Sequence, residues 1–99
     1  MLEVERVGDR RRVMVRGELD AATASRLVED LKNDVEQDGD LELEMSGVSF
    51  VDSTGLRALL QLAKALEGRG TLLLRNPSRN VQRLLDITGV DGRANLRSE

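Results

Sequence analysis

The chain of 99 residues contains no cysteine and no histidine. Without cysteine, disulfides, thiolate metal sites and cysteine nucleophiles are excluded. Without histidine, the chain lacks the commonest general base and the commonest transition-metal ligand, and it cannot form a Ser-His-Asp hydrolase site by itself. We therefore expect a protein that is not an enzyme and has no metal site and no cofactor.

Aromatic side chains are almost as scarce, since Phe50 is the only one. The core must be built from leucine, valine and alanine, and there is no set of aromatic rings on which single-stranded nucleic acid could stack. The formal net charge of −3 gives no basic footprint for DNA or RNA. The local exception, Arg10 to Arg12, follows Gly8-Asp9 and is more typical of a solvated hairpin turn than of a phosphate-binding patch. We expect no direct nucleic-acid partner.

Long apolar runs are also missing, and none approaches the length needed to span a membrane. The first six residues alternate charged and apolar side chains, which is not the pattern of a signal peptide. We expect a cytoplasmic protein without a membrane partner. The length predicts one domain over residues 1–99 with one modest core.

What is present is a regular alternation of strand and helix patterns. Two valine-containing runs at 4–7 and 13–15 predict a β-hairpin, and Gly17 should end its second strand. Further strands are predicted at 41–50 and 71–74, with a short one near 94–96. Helical spacing predicts helices over 21–37, over 56–67 and after Pro77, the last with Asn76 as its cap. The order ββαβαβα predicts an α/β fold in which helices cover a single mixed β-sheet through right-handed crossovers.

The most informative stretch is Phe50–Leu56, where an apolar run ends and an amphipathic run begins. Ser53 lies where the strand passes into the helix, so its hydroxyl could cap the helix or accept a phosphoryl group at the positive end of the helix dipole. The local motif favours the two roles equally. Gly55 indicates either close approach of another backbone or tight helix–sheet packing. Thr54 is better explained by bonding within the first turn, or by exposure, than as the phosphate acceptor.

A second cluster precedes the first helix. Asp20 either caps that helix or joins a surface cluster around Ser53, because both helix N-termini should open at the same edge of the sheet. We expect Thr23 and Ser25 to be exposed on the first helix.

Three segments, in this order and at this spacing, resemble the STAS domain family. They are Gly17–Asp20, Phe50–Leu56, and Asn76–Ser78 together with Leu84–Gly89. The resemblance covers nearly the whole chain and is strongest to the stand-alone bacterial anti-anti-sigma factors. It implies the STAS fold and a partner-switching function.

The resemblance implies that the unphosphorylated domain binds a cognate anti-sigma factor, a serine kinase of the histidine-kinase-like ATPase fold, and so releases a sigma factor. The kinase phosphorylates the serine of an Asp-Ser-(Ser/Thr)-Gly motif, which is Ser53 here, and a PP2C-type phosphatase resets the switch. Arg57 stands where small residues are common in the family, so contacts there should differ. The residues expected to bind the partner are Asp20, Thr23, Asp52, Ser53, Thr54, Gly55 and Arg57.

Two alternatives remain at this point. The domain could be a STAS subunit of another assembly, such as a lipid-transport ABC complex or a stressosome-like scaffold, and bind a different partner constitutively. It could also be a small phosphate-ligand-binding domain that uses the helix N-terminus at Ser53.

Overall fold

The computed structural model describes residues 1–8, 11–90, 92 and 95–99. Within these ranges five strands form one sheet in the order β1-β2-β3-β4-β5. β1 and β2 are antiparallel, and every other neighbouring pair is parallel. The predicted α/β fold with a mixed sheet is confirmed. The elements are β1 Leu2–Arg6, β2 Arg12–Leu19, α1 Ala24–Asp30, β3 Leu41–Val51, α2 Ser53–Leu66, β4 Leu72–Arg75, α3 Arg79–Thr88 and β5 Leu96–Ser98.

The predicted hairpin is present, but Gly17 does not end its second strand. β2 continues through Gly17 to Leu19. Gly17 has a φ of +107° beside a pairing irregularity with β3, and a side chain there would collide with the backbone carbonyl of Met1. The glycine therefore allows β2 to continue while the chain start lies against it. The turn residues Asp9 and Arg10 lie outside the described residues.

The helix predicted over 21–37 is instead two pieces, α1 and a 3₁₀ turn at Asp34–Glu36. The guanidinium of Arg6 donates to the carbonyl of Asp30 at 3.0 Å and to the carboxylate of Asp34 at 2.7 Å. Arg11, expected in a solvated turn, is half-buried and donates to the carbonyl of Asp34 at 2.8 Å. These contacts hold the chain where the helix is interrupted. The apolar side chains of both pieces still reach the core, which explains the misleading helical pattern.

β3 changes its buried face part-way along its length. Leu41, Leu43 and Met45 are buried in alternation, whereas Val48 and Val51 are buried further on. Two register irregularities between β2 and β3 account for the change. As a result the ring of Phe50 does not join the core and is 50% exposed.

The start of α3 also differs from the prediction. Ser78, not Asn76, is the N-cap, and its hydroxyl accepts from the N–H of Val81 at 3.3 Å. Asn76 adopts a positive φ of 54° and its side-chain amide donates to the carboxylate of Glu44 at 3.0 Å. α3 ends at Gly89 in the left-handed conformation, as the pattern predicted.

The core lies between the sheet and its helices. Because β2, β3, β4 and β5 follow one another across the sheet and such crossovers are right-handed, the helices lie on one face. The opposite face carries ion pairs, including Arg12–Glu42 at 2.9 Å and Arg75–Glu99 at 3.3 Å. No helix in the described part of the chain is long and apolar enough to cross a membrane. The largest fully buried side chains are Leu2, Leu19, Leu27, Leu31, Leu41, Leu43, Met45, Leu59, Leu62, Leu66, Leu72 and Leu74.

Candidate phosphorylation and partner-binding site

Two strand-to-helix corners lie side by side at one edge of the sheet. We call residues 20–23 the first corner and residues 52–55 the second corner. β2 and β3 are parallel, and their last residues, Leu19 and Val51, are paired in register. The N–H of Asp52 donates to the carbonyl of Leu19 at 3.2 Å. The expectation that both helices begin at the same edge is confirmed.

The second corner is capped by Asp52 and not by Ser53. Asp52 has an extended backbone, and its Oδ1 accepts from the N–H of Gly55 at 2.8 Å. Ser53 is the first residue of α2. Capping, one of the two roles left open for Ser53, therefore belongs to the preceding carboxylate.

This arrangement leaves the hydroxyl of Ser53 uncommitted. Ser53 is exposed, and its Oγ makes no hydrogen bond to any other described residue. The N–H groups of Ser53 and Thr54 likewise have no acceptor within the described ranges. They lie at the positive end of a 14-residue helix, where phosphate oxygens are stabilised. The geometry is suited to a hydroxyl that receives a phosphoryl group without disturbing the fold.

Gly55 is explained by a contact within the chain. It is buried, and a Cβ built on it would collide with the carbonyl oxygen of Leu19 and lie 2.9 Å from Leu19 Cγ. The backbone that approaches this glycine is the end of β2, so close backbone approach and helix–sheet packing are here the same contact. The close approach sets the position of α2, and hence of Ser53, relative to the end of β2.

The first corner uses its polar groups internally. Asp20 Oδ1 accepts from the N–H of Ala22 at 3.0 Å, so the carboxylate stabilises the turn that leads into α1. Thr23 donates its hydroxyl to the carbonyl of Glu18 at 2.7 Å and accepts from the N–H of Asp20 at 3.0 Å. Thr23 is only 8% exposed, so the expectation that it lies on the surface was wrong. Ser25 is exposed, as expected.

A groove between α1 and α2 opens beside the second corner. Its volume is about 370 Å³, and Thr54 and Arg57 line it from α2, while Val28 and Glu29 line it from α1. Arg57 is exposed and makes no ion pair or hydrogen bond with another described residue. The sequence did not predict the groove, because it depends on how closely the two helices pack.

Glu44, on β3, has a perturbed pKa and accepts a hydrogen bond from Asn76 in the connection between β4 and α3. Burial of Glu44 acts to raise the pKa of its carboxyl group. Hydrogen bonds from Ser46 and Asn76, together with the positive charge of Arg12, outweigh burial and hold that pKa below its ordinary value.

The described residues contain no group of three or more acidic, histidine or cysteine side chains able to hold a metal ion.

Comparison with known proteins places this geometry in a family. The model of the STAS domain matches residues 1–99. The chain belongs to the STAS domain family. The resemblance inferred from the three sequence segments is thereby confirmed.

The relatives of this STAS domain include the anti-sigma-B factor antagonist of Bacillus subtilis strain 168. The two are 39% identical over 79 residues, which cover 79% of this chain and 72% of that protein. The protein of the same name from Listeria monocytogenes is 36% identical over 88 residues, which cover 87% of this chain and 77% of that protein. The resemblance to anti-sigma factor antagonists is confirmed by these similarities.

Two solved structures of SpoIIAA share the fold of this STAS domain. The anti-sigma factor antagonist SpoIIAA in its unphosphorylated form has a TM-score of 0.66 and 23% identity, over 88% of this chain and 83% of that chain. The Bacillus cell fate determinant SpoIIAA in its phosphorylated form has a TM-score of 0.68 and 22% identity, over 100% of this chain and 91% of that chain. At these identities the comparison establishes the fold.

Proposed function

We propose that this STAS domain is a cytoplasmic anti-sigma factor antagonist that phosphorylation at Ser53 switches off. The observation that carries the proposal is the exposed, uncommitted hydroxyl of Ser53 at the N-terminus of α2. The names of the relatives from Bacillus subtilis and Listeria monocytogenes support the regulatory part of the proposal.

In the unphosphorylated state, the two corners and the rim of the groove form the binding surface. The partner is an anti-sigma factor with serine kinase activity and a histidine-kinase-like ATPase fold, and its capture releases a sigma factor. Asp20, Asp52 and Thr54 are partly exposed and can contact it, as can the exposed Arg57. Thr23 and Gly55 were expected to bind the partner, but both are buried. In this proposal they hold the binding surface in place from below and contribute little direct contact with the partner.

Phosphorylation transfers the γ-phosphoryl group of ATP to Ser53. The Oγ–P bond forms, the bond to the leaving ADP breaks, and the hydroxyl proton passes to a base on the kinase. The product carries about −1.5 to −2 charges at neutral pH beside the carboxylates of Asp20 and Asp52. Free N–H groups at the start of α2 stabilise the phosphate, so the fold persists. The added charge repels an acidic partner surface, and contact with an apolar one would strip water from the phosphate. A PP2C-type phosphatase would hydrolyse the phosphoester and restore binding.

The direct experiment is incubation of the protein with its cognate kinase and Mg-ATP, followed by intact-mass measurement and tandem mass spectrometry. We expect one phosphate, on Ser53. Ser53→Ala should remain unlabelled, whereas Thr54→Val, a matched change at the next hydroxyl, should still be labelled on Ser53 even if a lost partner contact slows the reaction. A phosphate on Ser25, Thr54 or Ser78 with Ser53 unmodified contradicts the assignment. Absence of any phosphate would favour a constitutive subunit of another assembly or a phosphate-ligand-binding domain.

If added charge is the cause of release, Ser53→Asp should weaken kinase binding, but less than phosphorylation does, because it adds one charge. The weakening should decrease as salt rises, since exposed charges are screened over about 8–10 Å at ordinary ionic strength. Binding titrations at low and high salt measure both effects. A loss of affinity that is independent of salt and accompanies a large backbone rearrangement would instead show an allosteric switch.

A further inference from the structure

Arg57 carries a positive charge one helical turn after Ser53. It is exposed on α2 and makes no ion pair or hydrogen bond with the rest of the described chain. Arg6 and Arg12 differ from it because each forms an ion pair within the chain. The guanidinium of Arg6 lies 2.7 Å from a carboxylate oxygen of Asp34, and that of Arg12 lies 2.9 Å from a carboxylate oxygen of Glu42. The charge of Arg57 is therefore available for a group that is absent from the unmodified chain.

The direction of the side chain favours Ser53 as the position of that group. Residues four apart on a helix lie on the same face, with Cβ atoms about 5–6 Å apart. Long helical side chains lean toward the helix N-terminus, which from Arg57 is toward Ser53. Arg57 also lines the same groove as Thr54, the residue next to Ser53.

We propose that Arg57 pairs with the phosphate of phosphoserine 53, so that phosphorylation removes this cation from the partner-binding groove. The inference rests on the proposed phosphorylation of Ser53 and adds a second component to the switch. An acidic group four residues before a basic group is the favourable orientation of such a pair. Phosphorylation then changes the surface twice, because it adds negative charge at the second corner and neutralises positive charge at the rim of the groove.

The pair can be tested without a kinase or a binding partner. Phosphoserine is installed at position 53 during translation, and the phosphorus resonance is titrated by NMR through the second ionisation of the phosphate, near pH 6. Arg57 favours the dianion, so Arg57→Gln should raise the titration midpoint by about 0.3 pH units. Arg57→Lys should restore most of the difference, and about 1 M salt should abolish it.

Lys64 provides the matched control, because it is exposed on the same helix but lies about 16 Å from Ser53 along the helix axis. Lys64→Gln removes the same charge and should move the midpoint by less than about 0.1 pH units at ordinary ionic strength. Equal midpoints for Arg57→Gln and Lys64→Gln would overturn the proposed pair. That result leaves the proposed function intact if the kinase still labels Ser53. Labelling of another residue would reject the proposed function without affecting the titration.

Discussion

The two corners at the edge of the sheet each combine a leading aspartate with a hydroxyl side chain, but they present the hydroxyl in opposite ways. Each begins with an aspartate whose carboxylate accepts a backbone N–H, from Ala22 at the first corner and from Gly55 at the second. At the first corner the hydroxyl of Thr23 is buried and bonded to the end of β2. At the second corner the hydroxyl of Ser53 is exposed and makes no bond to another described residue.

The spacing between aspartate and hydroxyl accounts for the difference. Thr23 follows Asp20 by three residues, so the turn brings the Thr23 hydroxyl back to the end of β2, where it bonds to Glu18 and Asp20. Ser53 follows Asp52 directly, and the capping hydrogen bond joins the carboxylate of Asp52 to the N–H of Gly55 without involving Ser53. A hydroxyl in the first arrangement stabilises the corner, and one in the second is free for modification. Substitutions at four positions test this division between structural and functional residues.

The largest effect is expected for Gly55→Ala, which should destabilise the fold by about 3 kcal/mol. The added methyl group would collide with the carbonyl of Leu19, so α2 must move away from the end of β2. In an unobstructed helix interior the same change would stabilise by about 1 kcal/mol, so the sign of the effect is informative. Urea denaturation measures it. A neutral or stabilising result would show that α2 shifts freely and that Gly55 does not position the second corner.

The next effect concerns the buried hydroxyl of the first corner. Thr23→Val leaves the carbonyl of Glu18 and the N–H of Asp20 without these partners, which should cost about 2 kcal/mol. Thr23→Ser keeps the hydroxyl and should lose less stability. Thermal denaturation of the pair separates the hydrogen bonds from packing. A stable valine variant beside a destabilised serine variant would indicate that the methyl group of Thr23, and not its hydroxyl, holds the corner.

Much of the fold could be predicted from local pattern. Alternation of strands and helices, the hairpin, and the position of the second corner all depend on residues close together in sequence. The interruption after α1 depends on Arg6 and Arg11, which bond to residues 23 to 28 positions away, so helical periodicity could not reveal it.

The candidate site was predictable in position and less so in detail. Asp52 and Ser53 are both good N-cap residues, and only the backbone geometry shows that Asp52 takes the bond. The burial of Thr23 depends on a contact with Glu18 in the preceding strand, which helical spacing does not show. The freedom of Arg57 could not be predicted either, because it depends on which carboxylates the fold brings near each arginine.

A smaller effect is expected when the cap of the second corner is removed. Asp52→Ala should destabilise by about 1 kcal/mol, since the N–H of Gly55 loses its acceptor. Asp52→Asn retains an acceptor oxygen and should lie close to the unmodified protein in stability. Thermal denaturation of both variants measures the difference. If alanine has no effect, another group caps α2 in its place, and Ser53 would be the first residue to examine.

The smallest change in stability is expected for Ser53→Ala, within about 0.5 kcal/mol of the unmodified protein. The exposed hydroxyl makes no hydrogen bond to any described residue, and alanine is a better helix former than serine. Equilibrium denaturation measures this change.

The effect of Ser53→Ala on phosphorylation should be complete, because the variant should bind the kinase but cannot accept phosphate. It should therefore hold the sigma factor in its free state. Binding titrations and phosphorylation assays on the same preparation test both points. A well-folded Ser53→Ala that no longer binds the kinase would show that the hydroxyl is itself a required contact, and that release does not depend on added charge alone.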